Sequence, residues 1–323
     1  MHRIVIIKKS NELKSALPNC VNATHSSINM YSELGKTNEE YICVIGDSFA
    51  GNRRDCIPGM PSFDWSWVNL IESNNAGKTI GLSFPGQSFW HQRRWFMDHM
   101  SDWKHVENTV LVFVHTQYAR LPHLNDVAVT PQVFKADRNN PAQNELYFKD
   151  PSGALFDLAK TFYSSALFEH EFYRFAFLSW LKEINELTVN FKKVIHLFGF
   201  DNDIGRMPFK HQRFYFEKMA MPNSVPVTTS LLSIAAAERG TLENWGGSDH
   251  GNNIQNHLSK HNNIELAKFV QWAINDAIAG QLAEIPTASF NLKDPAIICN
   301  IAAHKEDFIV GQEIPGNKIR NKR

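Results

Sequence analysis

Four short strand-like runs, separated by segments of helical period, constrain the fold more than any other feature of the chain. They lie at 41–45, 79–84, 109–114 and 194–198. The runs at 41–45 and 109–114 are apolar at nearly every position, which is typical of strands buried on both faces of a parallel sheet. Strands that alternate with helices predict an α/β fold, here a three-layer α/β/α sandwich with a central parallel sheet.

This alternation continues to about residue 280 without a convincing linker, so we treat residues 1–280 as one domain. Inside it, residues 121–152 are rich in Pro and Asn and form a long excursion, which is uncommon unless it is functional. Residues 281–323 lack strong periodicity and are expected to be an irregular C-terminal extension.

Charge and cysteine content narrow the class of protein. Lys+Arg and Asp+Glu both number 33, so no charge excess indicates a nucleic-acid or membrane partner. The 4 cysteines form no C-x-x-C pair, which favours a reducing compartment over a disulfide framework. No apolar stretch has the length of a signal segment or a membrane span. We therefore expect a cytoplasmic protein.

The first apolar run leads directly into Gly46-Asp47-Ser48. Parallel α/β sheets bind ligands at the carboxyl ends of their strands. A serine placed there by a tight glycine turn is a candidate nucleophile, although G-D-S alone is also a common turn. Polar residues also follow the next two strands, namely P-G-Q-S at 85–88 and then Thr116 and Gln117. Their positions favour a catalytic role for the serine over a simple turn. With a histidine at 257 before the last helix, they supply the parts that acyl transfer needs.

These blocks resemble those of the SGNH (GDSL-type) hydrolases in order and spacing, over residues 41–275. The matching segments are G-D-S at 46–48, P-G-Q-S at 85–88 and H-L-S at 257–259. The resemblance implies a flavodoxin-like fold and ester hydrolysis, with Ser48 as nucleophile and His257 as base. It also implies that the N–H groups of Ser48 and Gly86 form the oxyanion hole. A weaker similarity, through G-D-S-F and the T-x-x-x-R after the third strand, is to phage- and marine-type members.

The chain departs from the family pattern in its third block, which usually carries an asparagine that donates to the oxyanion. Gln117 occupies that place, with Thr116 beside it. Glutamine has the same NH2 donor on a longer arm, so either residue is a candidate. Arg120, a little further on, is a candidate for binding a polar or anionic part of the substrate, or for a surface salt bridge.

A second departure concerns the residue that orients the base. The family usually has an aspartate three residues before the histidine, where this chain has Ile254. Asp249 could loop back to His257, an Asn or backbone oxygen from 252–253 could replace it, or the site is a dyad. His257 and His261 are four residues apart, but no H-E-x-x-H motif is present, so we expect no metal and no cofactor.

The sequence therefore predicts a serine esterase that acts on a small-molecule or glycan ester, with O-acetyl groups on a glycan as the candidate substrate. Its alternative is a non-catalytic binding or virion structural protein that keeps an SGNH-like fold. In that case the partners would be virion components or further copies of the chain, and the protein would be virion-associated.

Overall fold

The computed structural model describes residues 40–47, 49–50, 65–75, 79–83, 88–100, 103, 106–118, 120, 153–164, 170–200, 222–240 and 258–298. The strands in these ranges are β1 Tyr41–Gly46, β2 Thr79–Ser83, β3 Thr109–His115, β4 Lys193–Phe198 and β5 Ser224–Ser230. The α-helices are α1 Trp67–Asn74, α2 Phe89–Met100, α3 Ala154–Ser164, α4 His170–Leu187, α5 Leu231–Arg239 and α6 Lys260–Asn275.

All five strands form one parallel sheet in the order β2-β1-β3-β4-β5. The sequence-based prediction of an α/β fold with a parallel sheet is therefore confirmed, and the four strand-like runs are the first four strands. β3 lies at the centre and every one of its residues is buried, as expected for T-V-L-V-F-V-H.

The sequence analysis missed β5, whose residues S-V-P-V-T-T-S are mostly polar and include Pro226. Proline lacks the N–H that a central strand needs, so it is found in edge strands, and β5 ends the strand order. Beyond β5, Ala283 forms a single parallel bridge with Val227. After β5 the chain continues directly into α5, which is capped by the Ser230 side chain.

Successive residues of a strand point to opposite faces of the sheet, and the residues of β1 accordingly belong to two different buried clusters. Ile42 and Val44 of β1 belong to a buried cluster that includes residues of α1, α5 and α6. Cys43 and Ile45 belong to a second cluster that includes residues of α2 and α4. The sheet is thus buried on both sides at its centre.

A prediction about α4 is only partly correct. Helical spacing predicts a core-facing stripe at residues 172, 175, 178, 181 and 184. Leu178, Leu181 and Ile184 are buried in the core, but Phe172 is 57% exposed and Phe175 is 65% exposed. A three-residue step turns about 300° in an α-helix, so each step drifts about 60° around the axis. The first two residues of the stripe therefore lie off the buried face, and Phe177 and Trp180 join Leu178 and Leu181 in the core.

Part of the predicted C-terminal extension packs against one of the two buried clusters. Ala283, Ile285 and Phe290 belong to the cluster that contains α5 and α6. The domain boundary at 280 stays a prediction, and the excursion at 121–152 lies outside the described residues. Among the described helices, none is long and apolar enough to cross a membrane.

Gly46 ends β1 at a point where neighbouring elements approach too closely for a side chain. A Cβ atom there would lie 2.6 Å from the Cβ of Ala50, 2.8 Å from that of Val114 and 3.3 Å from the Oγ of Ser83. Contacts below 3 Å force a shift of the backbone or of its neighbours. We expect Gly46→Ala to lower the free energy of unfolding by about 1–3 kcal/mol, measured by urea denaturation.

Gly199→Ala is the matched control for this prediction. Its added Cβ would meet the carbonyl oxygen of His115 at 3.2 Å and Cδ2 of Phe49 at 3.3 Å, which are milder contacts. Its cost should therefore be smaller. A Gly46→Ala variant as stable as the wild type, or less affected than Gly199→Ala, would contradict this account of the glycine.

Candidate functional site

The strand order places a topological switch point between β1 and β3. From β1 the chain goes to β2 on one side and then to β3 on the other, so the connections diverge at the carboxyl edge. In open α/β sheets this is where ligands bind. In the sequence Ser48 comes two residues after Gly46, the last residue of β1, and Gly46 pairs in register with Ser83 at the end of β2.

The chain turns sharply after β1, and Asp47 organises that turn. The N–H of Ala50 donates to the carbonyl oxygen of Asp47 at 3.0 Å. The N–H of Phe49 donates to the Asp47 carboxylate Oδ1, also at 3.0 Å. Asp47 is completely buried. Its side chain therefore faces into the fold, and its local bonds hold the backbone on both sides of Ser48.

The other carboxylate oxygen of Asp47 binds two residues from the segment after β3. The Thr116 hydroxyl donates to Oδ2 at 2.8 Å, and Arg120 Nη1 forms an ion pair with the same oxygen at 3.3 Å. The Arg120 guanidinium also lies 4.3 Å from the centre of the Phe200 ring. This buried cluster joins the ends of β1, β3 and β4.

Burial raises the pKa of the Asp47 carboxyl, while the charge of Arg120, the N–H of Phe49 and the hydroxyl of Thr116 act in the opposite direction. Burial also lowers the pKa of Arg120, and the charges of Asp47 and Tyr163 oppose that effect. Each partner thus depends on the other to remain charged in the interior.

These contacts bear on the predicted roles of the residues after β3. The Thr116 hydroxyl proton is engaged with Asp47, which leaves the partly exposed Gln117 as the better candidate for the oxyanion donor. Arg120 does form an ion pair, but in the interior rather than at the surface, because only 5% of the residue is exposed. Its role in substrate binding stays a prediction.

The P-G-Q-S segment at 85–88 leads into α2, and its last residue directly precedes that helix. Ser88 is completely buried, and its Oγ lies 3.1 Å from Nδ1 of His91. One turn on, the Gln92 side-chain amide donates to the carbonyl oxygen of Val114 at 3.1 Å. Gln92 therefore ties the start of α2 to the end of β3. Gly86 itself lies outside the described residues.

The first turn of α6 also lies towards the carboxyl edge of the sheet. Lys193, the first residue of β4, donates from Nζ to the carbonyl oxygens of Ala273 and Ile274 at 3.0 and 2.8 Å. The last turn of α6 thus lies at the amino edge, so its first turn points the other way. Ser259 caps that turn, and the preceding Leu258 is buried. His257 and Asp249 lie outside the described residues, as does Ser48.

Two side chains link the start of α6 to the turn after β1. The indole N–H of Trp67 donates to the carbonyl oxygen of Phe49 at 2.6 Å. The backbone N–H of Trp67 donates to Asn263 Oδ1 at 3.2 Å, and Asn263 Nδ2 donates to the carbonyl oxygen of Leu258 at 2.8 Å. Sequence reasoning missed this link because Trp67 and Asn263 are 196 positions apart and no local pattern marks them.

Two buried histidines pair across the neighbouring strands β3 and β4, one of them directly before Thr116. His115 Nε2 and His196 Nδ1 are 2.8 Å apart, and the two rings stack at 5.1 Å. Phe113 stacks on His115, and Phe177 meets it edge-on. Burial lowers the pKa of His196 to about 3, and it lowers that of His115 together with the charge of His196. Both rings are therefore neutral near pH 7.

This pair should make the fold sensitive to acid. The unfolded chain binds protons at the ordinary histidine pKa, whereas the folded chain does not, so stability falls as the pH drops from about 6.5 towards 3. At about pH 5 the neutral state of His196 should lower the free energy of unfolding by about 2 kcal/mol, and His115 acts in the same direction. We expect His115→Phe/His196→Phe to flatten the change in urea midpoint between about pH 7.5 and 5. An unchanged pH dependence in that double variant would contradict this assignment.

Among the described residues, no group of three or more His, Cys, Asp or Glu is placed to hold a metal ion. His261, considered above as a ligand, lies with its Nε2 2.9 Å from the carbonyl oxygen of Ser289. Comparisons with protein-family models, with curated proteins and with solved structures find no match to this chain.

Proposed function

We propose that the chain is a serine ester hydrolase of the SGNH type, with the three-layer, flavodoxin-like sandwich of that superfamily. The observation that carries the proposal is the hydrogen bond from Thr116 to Asp47. It brings the residue before Ser48 into contact with the residue before Gln117, at the switch point where such sheets bind ligands. A nucleophile and an oxyanion donor are needed at the same place.

The proposed reaction follows the roles of these residues. His257 takes the proton of Ser48, whose Oγ attacks the ester carbonyl carbon. The N–H groups of Ser48 and Gly86 and the side chain of Gln117 stabilise the oxyanion. His257 then protonates the leaving alcohol, and water hydrolyses the acyl-enzyme with His257 as base. Asp249 is the proposed partner of the second imidazole nitrogen.

The buried Asp47 cluster supports this assignment in two ways. First, both carboxylate oxygens of Asp47 accept hydrogen bonds inside the protein, so this aspartate is a structural anchor rather than a competing nucleophile. Second, the anchor holds the turn that carries Ser48 against β3 through bonds in a low-dielectric interior, where they are strongest. A fixed nucleophile is what rapid acyl transfer requires.

Gln117→Ala and Thr116→Val together test which of the two residues donates to the oxyanion. A donor aimed at developing charge acts mainly in the transition state, so kcat should fall by about 10²–10³-fold with little change in KM. Thr116→Val should instead lower the free energy of unfolding by about 1–3 kcal/mol, because Asp47 loses a buried donor. Steady-state kinetics and urea denaturation measure the two effects. A change confined to KM in Gln117→Ala would place this residue in substrate binding instead.

Hydrolysis by the wild-type protein tests the proposal itself. We expect release of the phenol from a small aryl acetate and of acetate from an O-acetylated glycan, without added metal or cofactor. If the folded protein hydrolyses neither, nor any other short-chain ester, the enzymatic proposal is wrong. The alternative from the sequence, a binding or virion structural protein, would then apply.

A further inference from the structure

We propose that Trp67 and Asn263 are positioning residues for this reaction: they hold the segment that follows His257 against the turn that follows Ser48. The inference rests on the proposed function, since it assigns a role relative to the proposed nucleophile and base. Neither residue is expected to touch the substrate.

The first link fixes the nucleophile side. Trp67 is 1% exposed and lies in the same buried cluster as Phe49, the residue after Ser48. Its indole N–H donates to the carbonyl oxygen of Phe49 at 2.6 Å. Because the indole is rigid and closely packed, this bond sets the distance between the turn and the first residue of α1.

The second link fixes the base side. Asn263 is 8% exposed and uses both ends of its amide. Its Oδ1 accepts from the Trp67 backbone N–H at 3.2 Å, and its Nδ2 donates to the carbonyl oxygens of Leu258 and Ser259 at 2.8 and 2.9 Å. One side chain thus joins the first residue of α1 to the two residues that follow His257.

The bonds form a short chain between two distant parts of the sequence. They run from Phe49 through Trp67 and Asn263 to Leu258, and all four residues are buried. Asn263 is not needed merely to cap α1, because Ser66 is the N-cap of that helix and its side chain accepts from the N–H of Asn69. A displacement of about 1 Å between nucleophile and base can cost about 10²-fold in rate.

The first variant is Asn263→Ala, with Asn262→Ala as its control. Asn262 lies in the same turn of α6 and is completely buried, but it binds the backbone of Asn291 through both ends of its amide. Both variants lose a buried amide from the same helix. We expect Asn263→Ala to lower kcat for aryl acetate hydrolysis about 10²-fold at unchanged KM. Asn262→Ala should retain kcat.

The second variant is Trp67→Phe, with Trp180→Phe as its control. Trp180 is also 1% exposed, but its indole N–H has no hydrogen-bond partner in the part of the chain that the structure describes. Each substitution replaces a buried indole by a smaller ring. Only Trp67→Phe removes a bond to Phe49, so only it should lower kcat and slow labelling by a fluorophosphonate.

Amide hydrogen exchange gives a readout independent of turnover. Asn263→Ala should speed exchange in two separate segments, around residues 49–50 and 258–259, whereas Asn262→Ala should act near residue 291. Equal kcat losses in a variant and its control, or effects on KM alone, would overturn the positioning role and leave the proposed function intact. A folded wild type without esterase activity would overturn both.

Discussion

Ser48→Ala is expected to lower kcat for ester hydrolysis by about 10⁴–10⁶-fold, because no other group supplies the attacking oxygen. His257→Ala should cause a loss of similar size, since a serine hydroxyl without a base is a weak nucleophile. The combined variant should be no worse than the single ones, because residues that act as a unit are not additive. Progress curves with a chromogenic acetate measure all three.

The control for these variants is Ser73→Ala on the exposed part of α1, whose hydroxyl donates to the carbonyl oxygen of Asn69 in the same helix. It should leave kcat unchanged. Ser48→Ala should also keep the urea midpoint of the wild type, which separates loss of chemistry from loss of fold. Residual activity of Ser48→Ala close to that of wild type would show that the reaction, if any, occurs elsewhere.

Arg120→Met is expected to produce the largest loss of stability, about 3–5 kcal/mol, because it leaves Asp47 buried with an uncompensated charge. Methionine replaces much of the volume of the arginine stem. The loss is therefore due to the missing charge more than to a cavity. Chemical denaturation at neutral pH measures it directly.

If the unpaired charge of Asp47 causes the loss of stability in Arg120→Met, two further results follow. Adding Asp47→Asn should recover part of the stability, since neither charge is then buried alone. In Arg120→Met the pKa of Asp47 should also be raised further by burial, so protonation relieves the cost. The deficit relative to wild type should therefore shrink as the pH falls from about 8 to about 4.5. A deficit that is independent of pH, with no recovery in the double variant, would contradict a charge-based origin.

Local sequence patterns were sufficient to predict the central strands. The runs at 41–45 and 109–114 are apolar at nearly every position, so a buried parallel strand is the structure that satisfies them. The G-D-S segment also predicted a turn after β1 from its residue types. The structure adds the reason for the glycine, since a Cβ on Gly46 would meet Ala50 and Val114. These features depend on residues close together in the sequence.

Features that depend on distant partners could not be predicted this way. Asp47 and Arg120 are 73 positions apart, and no local pattern shows that a carboxylate after β1 becomes buried against an arginine after β3. Trp67 and Asn263 are further apart still. Phe172 and Phe175 mislead for a different reason, since residues three apart share a helix face over only a few steps.

The measurement that tests the central claim most directly is the site of covalent labelling by a fluorophosphonate. The hydroxyl of an activated serine attacks phosphorus and fluoride leaves, so the protein gains a stable phosphonyl ester. We predict one adduct, mapped by peptide mass spectrometry to Ser48, and its absence in Ser48→Ala and His257→Ala. An unlabelled folded wild type, or an adduct on another serine, would contradict the proposed esterase centre.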